Sequence, residues 1–125
     1  MTYVSPAVAL TLALIDQELE DDRRDQQVQY LVEELRRMDI DSARRVLDPE
    51  PPAGNKALGG FLVGLLTAEV SLENIQHVFQ FLSDRLAGKA IALEVEANGK
   101  RLKVTASSPA ELAEAIQAAQ DFITA

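Results

Sequence analysis

Apolar and polar or small positions alternate along "VALTLALID", residues 8–16, so that Val8, Leu10, Leu12 and Leu14 share one face. A period of two marks a strand. The opposite face is mild as well, which predicts a central place in a sheet. The next stretch, "QELEDDRRD", has the composition of a charged loop. The period then changes. In "QQVQYLVEELRRM", residues 26–38, Val28, Leu31, Val32, Leu35 and Met38 recur at helical spacing, with Glu33, Glu34, Arg36 and Arg37 opposite. Asp25 is in place to cap that helix. A short strand is expected around residues 43–47. "PEPPAGN", residues 49–55, is a rigid loop, because proline continues neither helix nor strand.

The clearest helical stripe falls in residues 71–87, where Leu72, Ile75, Val78, Phe79, Leu82 and Leu86 lie within one face. Ser71 is the expected cap and Gly88 the expected C′ residue. Beyond it, "KAIALEVEANGKRLKVTA" is two alternating runs joined by Asn98-Gly99, the strongest short hairpin signal. A two-residue turn fixes the register. Val95 must face Leu102 and Leu93 must face Val104 on the buried side, with Glu96 opposite Arg101 and Glu94 opposite Lys103 on the wet side. Complementary cross-strand pairs contribute about 0.2–1 kcal/mol each. "SPAE", residues 108–111, begins a last helix with Ser108 as cap, Pro109 at N1 and Glu111 at N3. Leu112, Ile116, Ala119 and Ile123 line its inner face.

Between these lies "GNKALGGFLVGLLTAEV", residues 54–70, with no charge from Ala57 to Ala68. A phosphate loop is excluded, since Lys56 precedes Gly59-Gly60 and no Ser or Thr follows it. Twelve residues of helix span roughly 18 Å, too little for a hydrocarbon core of about 30 Å. The remaining expectation is a buried helix over residues 57–70, with Leu58, Phe61, Leu62, Leu65 and Leu66 on a wide apolar face. Gly60-x-x-x-Gly64 would let another backbone approach closely. That closeness serves core packing or a partner interface containing Gly60, Phe61 and Gly64. Phe81 stands beside the main stripe of its helix. It either widens the buried face or serves as an aromatic anchor for a partner.

The order strand, helix, strand, two helices, hairpin, helix predicts one α+β domain over residues 1–125. Its form is a two-layer sandwich, a mixed sheet of about four strands with one wet face and about four helices. The length of 125 residues suits one core.

The net charge of −8 gathers in residues 1–50, which hold twelve Asp/Glu against six Lys/Arg. An acidic surface repels phosphate backbones, so no nucleic-acid partner is expected. The absence of cysteine excludes thiol catalysis, disulfides and thiolate metal sites, and fits a cytoplasmic location. The N-terminus has no basic stretch, so no signal peptide is expected. Asp16, Glu18 and Glu20 alternate as in a calcium loop, but Asp21 stands where glycine is needed and Gln27 where glutamate is. His77 is the sole histidine and lies opposite its helix's apolar stripe, so neither a typical zinc site nor a Ser-His-Asp triad is expected. No cofactor is called for.

Four segments in this order form a family-like pattern: "LVEELRRM", "PPAGNKALGGFLVGLL", "IQHVFQFLSDRL" and "IALEVEANGKRLKVTASSPAEL". The pattern resembles the small effector-associated constant components of bacterial conflict systems, best from Gly54 to Leu112. The resemblance implies a non-enzymatic partner encoded beside caspase-like or trypsin-like proteases and signalling NTPases. It carries over no site residues. Two functions are therefore weighed. One is an interaction or adaptor module that engages a protein partner or forms a homo-oligomer, with membrane contact not expected. The other is a small-molecule-binding or enzymatic domain using carboxylates in a cleft near residues 49–57.

Overall fold

The computed structural model describes residues 7–47 and 61–124. Strand β1 spans Ala7–Leu14 and helix α1 Asp21–Arg36. Strands β2 (Ser42–Leu47) and β3 (Phe61–Ser71) lead into helix α2 (Ile75–Leu86). The hairpin β4 (Ile91–Ala97) and β5 (Lys100–Ala106) precedes helix α3 (Pro109–Thr124).

The five strands form one sheet in the order β2-β3-β1-β4-β5, antiparallel at every pairing. The expectation of a mixed sheet of about four strands and four helices is corrected to five antiparallel strands and three described helices. The reason lies in the connections. The crossovers through α1 and α2 each join strands running in the same direction, but β3 separates β1 from β2, and β1 separates β3 from β4. No like-directed pair is adjacent. This interleaving of β1α1β2β3α2β4 is the split βαβ arrangement of ferredoxin-like folds, here extended by β5 and α3.

The second correction concerns residues 57–70. Phe61–Ser71 is strand β3, and residues 57–60 lie outside the described residues. An uncharged apolar run carries no polarity contrast, so its period cannot separate helix from strand. Burial resolves it: Leu66, Ala68 and Val70 are buried while Thr67 and Glu69 alternate outward. β1 needs a ladder on each side, and β3 pairs with it from Ala7↔Ser71 to Ala13↔Leu65.

Val8, Leu10, Leu12 and Leu14 of β1 are all buried, as are Leu93 and Val95 of β4. They pack beneath the apolar faces of the helices, which include Val32, Leu35, Phe79, Leu82, Ala119 and Ile116. α1 begins at Asp21, earlier than the spacing indicated, with Asp21 and Asp22 in its first turn where the helix dipole favours acids. Asp25 is therefore a buried residue inside the helix and not its cap. α2 begins at Ile75, with Asn74 at the cap position. Ser71 closes β3, and Leu72 is exposed. Gly88 follows the helix at φ +85°, the left-handed C′ place expected of it.

The hairpin has the register that Asn98-Gly99 demands, with Val95↔Leu102, Leu93↔Val104, Glu96↔Arg101 and Glu94↔Lys103. Asn98 and Gly99 both take positive φ, as a type I′ turn requires. Leu102 and Val104 are only partly buried, because β5 is the sheet edge. The other sheet face carries no helix among the described residues. One row across it runs Arg44, Thr67, Thr11, Glu94 and Lys103. The next runs Ser42, Glu69, Ala9, Glu96 and Arg101.

Candidate functional site

Of the four residues singled out for a partner interface, Gly60 lies outside the described residues, and Phe61 opens β3 opposite Leu47. Gly64 is buried in the middle of β3 with φ +72°. A Cβ placed on it would stand 2.9 Å from the carbonyl oxygen of Leu14 and 3.8 Å from Cβ of Arg24. The close approach the glycine permits is thus real, but it is made by β1 and the first turns of α1, and Gly64 presents no surface. Phe81 is half-buried on α2 against the core. The guanidinium of Arg85, one turn on, lies 5.5 Å from its ring centroid.

Gly64 belongs to an irregularity that the sequence pattern did not show. Between β2 and β3 the register advances two residues on β2, from Arg45 to Leu47, and five on β3, from Leu66 to Phe61. A bulge of this kind leaves backbone groups without ladder partners. Arg45 reaches into it, donating from Nη2 to the Leu62 carbonyl at 3.3 Å and from Nε to the Leu65 carbonyl at 3.5 Å. The same guanidinium donates to Oδ1 of Asp25 and, at 3.4 Å, to Oε1 of Gln29 on α1. Asp25 is 7% exposed and Arg45 8%, so this is a buried ion pair joining helix, edge strand and bulge. The signal for it was phase. Arg45 shares a face with Ala43, and Asp25 lies three and seven residues before Val28 and Val32, inside the apolar stripe.

The second constellation is the seam between α1 and α2. Asn74 Nδ2 donates to the Asp39 carbonyl at 2.9 Å at one end, and Arg85 pairs with Glu34 further along at 2.5 Å. The two helices therefore run antiparallel. The Glu34–Arg85 pair, with Phe81 beneath the guanidinium, bridges the seam. On the Asn74 side lies a recess of about 240 Å³ lined by Met38, Ile40, Val78 and the exposed His77. On the other side lies a groove of about 490 Å³. Its floor is Leu31 and Leu86, its wall is Tyr30, 54% exposed, and its polar lining includes Gln27, Arg37 and Lys89.

The remaining acids are dispersed. Asp16 Oδ1 accepts from the Glu18 backbone N–H at 3.0 Å, a local turn bond. Glu94 and Glu96 are both held by Arg101, at 2.8 and 3.2 Å. Among the described residues no three His, Asp or Glu side chains are grouped to hold a metal ion, and no helix is long and apolar enough to cross a membrane. The cleft expected near residues 49–57 falls mostly on residues 48–60, outside the described ones. The described groove lies instead on the helical layer. Comparison with protein-family models, curated proteins and solved structures finds no match to this chain.

Proposed function

We propose that the chain is a non-enzymatic interaction component of a bacterial effector system, engaging a protein partner such as an effector protease or NTPase. The observation that carries this reading is the helix-free face of the sheet. At its centre are the small side chains of Ala9, Thr11, Ala13 and Thr67, and toward its margins stand Arg44, Glu69, Glu96, Arg101 and Lys103. A flat, uncharged centre inside a charged rim is the anatomy of a protein interface. The resemblance to effector-associated components supports the same reading and supplies the class of partner. Phe81 and its Arg85 cover offer a second contact point in the seam, in keeping with the anchoring role of aromatic residues.

Thr11→Arg places a charge at the centre of the open face without touching the core. Light scattering across a concentration series, and capture of the co-encoded effector proteins, should both change for Thr11→Arg and, more weakly, for Phe81→Asp. Unchanged mass and unchanged capture in a variant that keeps the wild-type unfolding transition would place the interface elsewhere.

A further inference from the structure

The groove between α1 and α2 has features that packing alone does not require. In a chain of net charge −8, three of the twelve Lys/Arg converge on it: Arg37, Arg85 and Lys89. Arg85 is committed to Glu34. Lys89 is half-buried, and its ammonium makes no hydrogen bond or ion pair with another described residue. The antiparallel course of the helices fixes where it stands. Lys89 lies one turn beyond Arg85, toward the end of the seam where Gln27 and Tyr30 precede Glu34. Arg37 stands at the opposite end.

At the Lys89 end, Oε1 of Gln27 is buried and accepts no hydrogen bond. A buried acceptor without a donor is costly. Beside it Tyr30 presents its ring, held at the hydroxyl by Gln26 Nε2 at 3.2 Å, above the buried side chains of Leu31 and Leu86. Three needs thus meet within one short stretch: an anion for Lys89, an N–H donor for Gln27 and an apolar group for Tyr30, Leu31 and Leu86. The volume of about 490 Å³ is within the range of small-ligand sites, about 300–1,000 Å³.

We propose that this end of the groove binds a carboxylate that carries an adjacent N–H and an apolar side chain, as in an N-acyl amino acid or the C-terminal residue of a peptide. The carboxylate pairs with Lys89, the N–H donates to Gln27 Oε1, and the side chain packs on Tyr30 and the leucine floor. The inference goes beyond the interaction reading and stands without it, because the groove and the open sheet face lie on opposite layers.

The test is an amide-shift NMR titration of the whole chain with three probes: N-acetyl-leucine, the peptide acetyl-Gly-Ser-Gly-Ser-Leu with a free carboxylate, and the same peptide as its C-terminal amide. The acid peptide should move the amides of Gln27, Tyr30, Leu86 and Lys89, and bind about tenfold or more tightly than the amide form. Lys89→Met should weaken it by a similar factor. Gln27→Leu should weaken it while leaving the unfolding midpoint unchanged or raised, since the change removes an unsatisfied acceptor. Equal binding of N-acetyl-leucine and the acid peptide assigns the site to small acids, and binding of the peptide alone assigns it to chain ends. Failure of both acids to move those amides at millimolar concentration overturns the proposal. So does an amide form that binds as well as the acid, or undiminished binding by Lys89→Met.

Discussion

Arg45 on the edge strand β2 and Asp25 inside α1, twenty residues apart, form a buried ion pair whose guanidinium also holds two carbonyls of the β3 bulge. A buried pair contributes little net stability against apolar residues of the same size, yet losing one partner strands the other charge. Asp25→Ala or Arg45→Ala should each cost about 3–5 kcal/mol. The double replacement Asp25→Leu with Arg45→Met should cost less than the sum of the two single changes, limited by the carbonyls of Leu62 and Leu65 that lose their donor. Urea unfolding of the four proteins measures the coupling directly.

Gly64 is the other half of that bulge. Alanine there meets both a left-handed backbone and the Leu14 carbonyl at 2.9 Å. At Gly88, φ is +85° but nothing stands within 4 Å of an added Cβ. Gly88→Ala should therefore cost only the backbone penalty, about 1–2 kcal/mol. Gly64→Ala should cost clearly more, because a main-chain oxygen cannot swing aside as a side chain can. Comparison of the two urea midpoints tests the difference.

At the start of α3, Ser108 Oγ accepts the Glu111 N–H at 3.1 Å. Glu111 Oε1 accepts from both the backbone N–H and the hydroxyl of Ser107 at 2.8 Å. The carboxylate thus reaches back one residue further than in the usual capping box. The Ser107 hydroxyl, then its N–H, hold the Glu111 carboxyl below its ordinary value. A lowered folded-state pKa means stability that is present above the unfolded value of about 4.5 and lost as pH falls through the folded one. Glu111→Gln should lower stability at neutral pH, and the gap to wild type should close on acidification below 4.5. Ser108→Ala should cost about 1 kcal/mol throughout.

Arg101 is exposed and bridges Glu94 and Glu96 on the wet face of the hairpin. Screening by water keeps its worth below about 1 kcal/mol. Arg101→Glu places three carboxylates together, so its destabilisation should shrink as salt rises from low to physiological strength and beyond. A salt series of unfolding midpoints for wild type and variant provides the check. A difference independent of salt would assign Arg101 to packing instead.

The parts of the fold legible in the sequence were those with strong contrast. β1 alternates cleanly, Asn98-Gly99 permits one register, and Ser108-Pro109 with Glu111 marks a helix start in three ways. β3 was not legible, because an uncharged run from Ala57 to Ala68 has no polar face to set a period. The only local argument for a strand there was Thr67 and Glu69 alternating with Ala68 and Val70 near its end. The ion pair was obscured because Asp25, directly before a helical pattern, has the look of a cap. The groove was beyond reach, since Gln27, Tyr30 and Lys89 meet only once α1 and α2 are packed antiparallel.

The central position of β1 has a consequence for how the molecule is made. Its two ladders are formed with residues 65–71 and 91–96, so the strand that leaves the ribosome before its partners is the last to be enclosed. Until Ala97 has emerged, one side of Val8–Leu14 has no partner strand. Non-local pairing of this kind slows folding and exposes an apolar strand to neighbouring nascent chains. Slowing translation ahead of Ile91 should therefore raise the share of protein that aggregates, while the same delay after Ala106 should have no such effect.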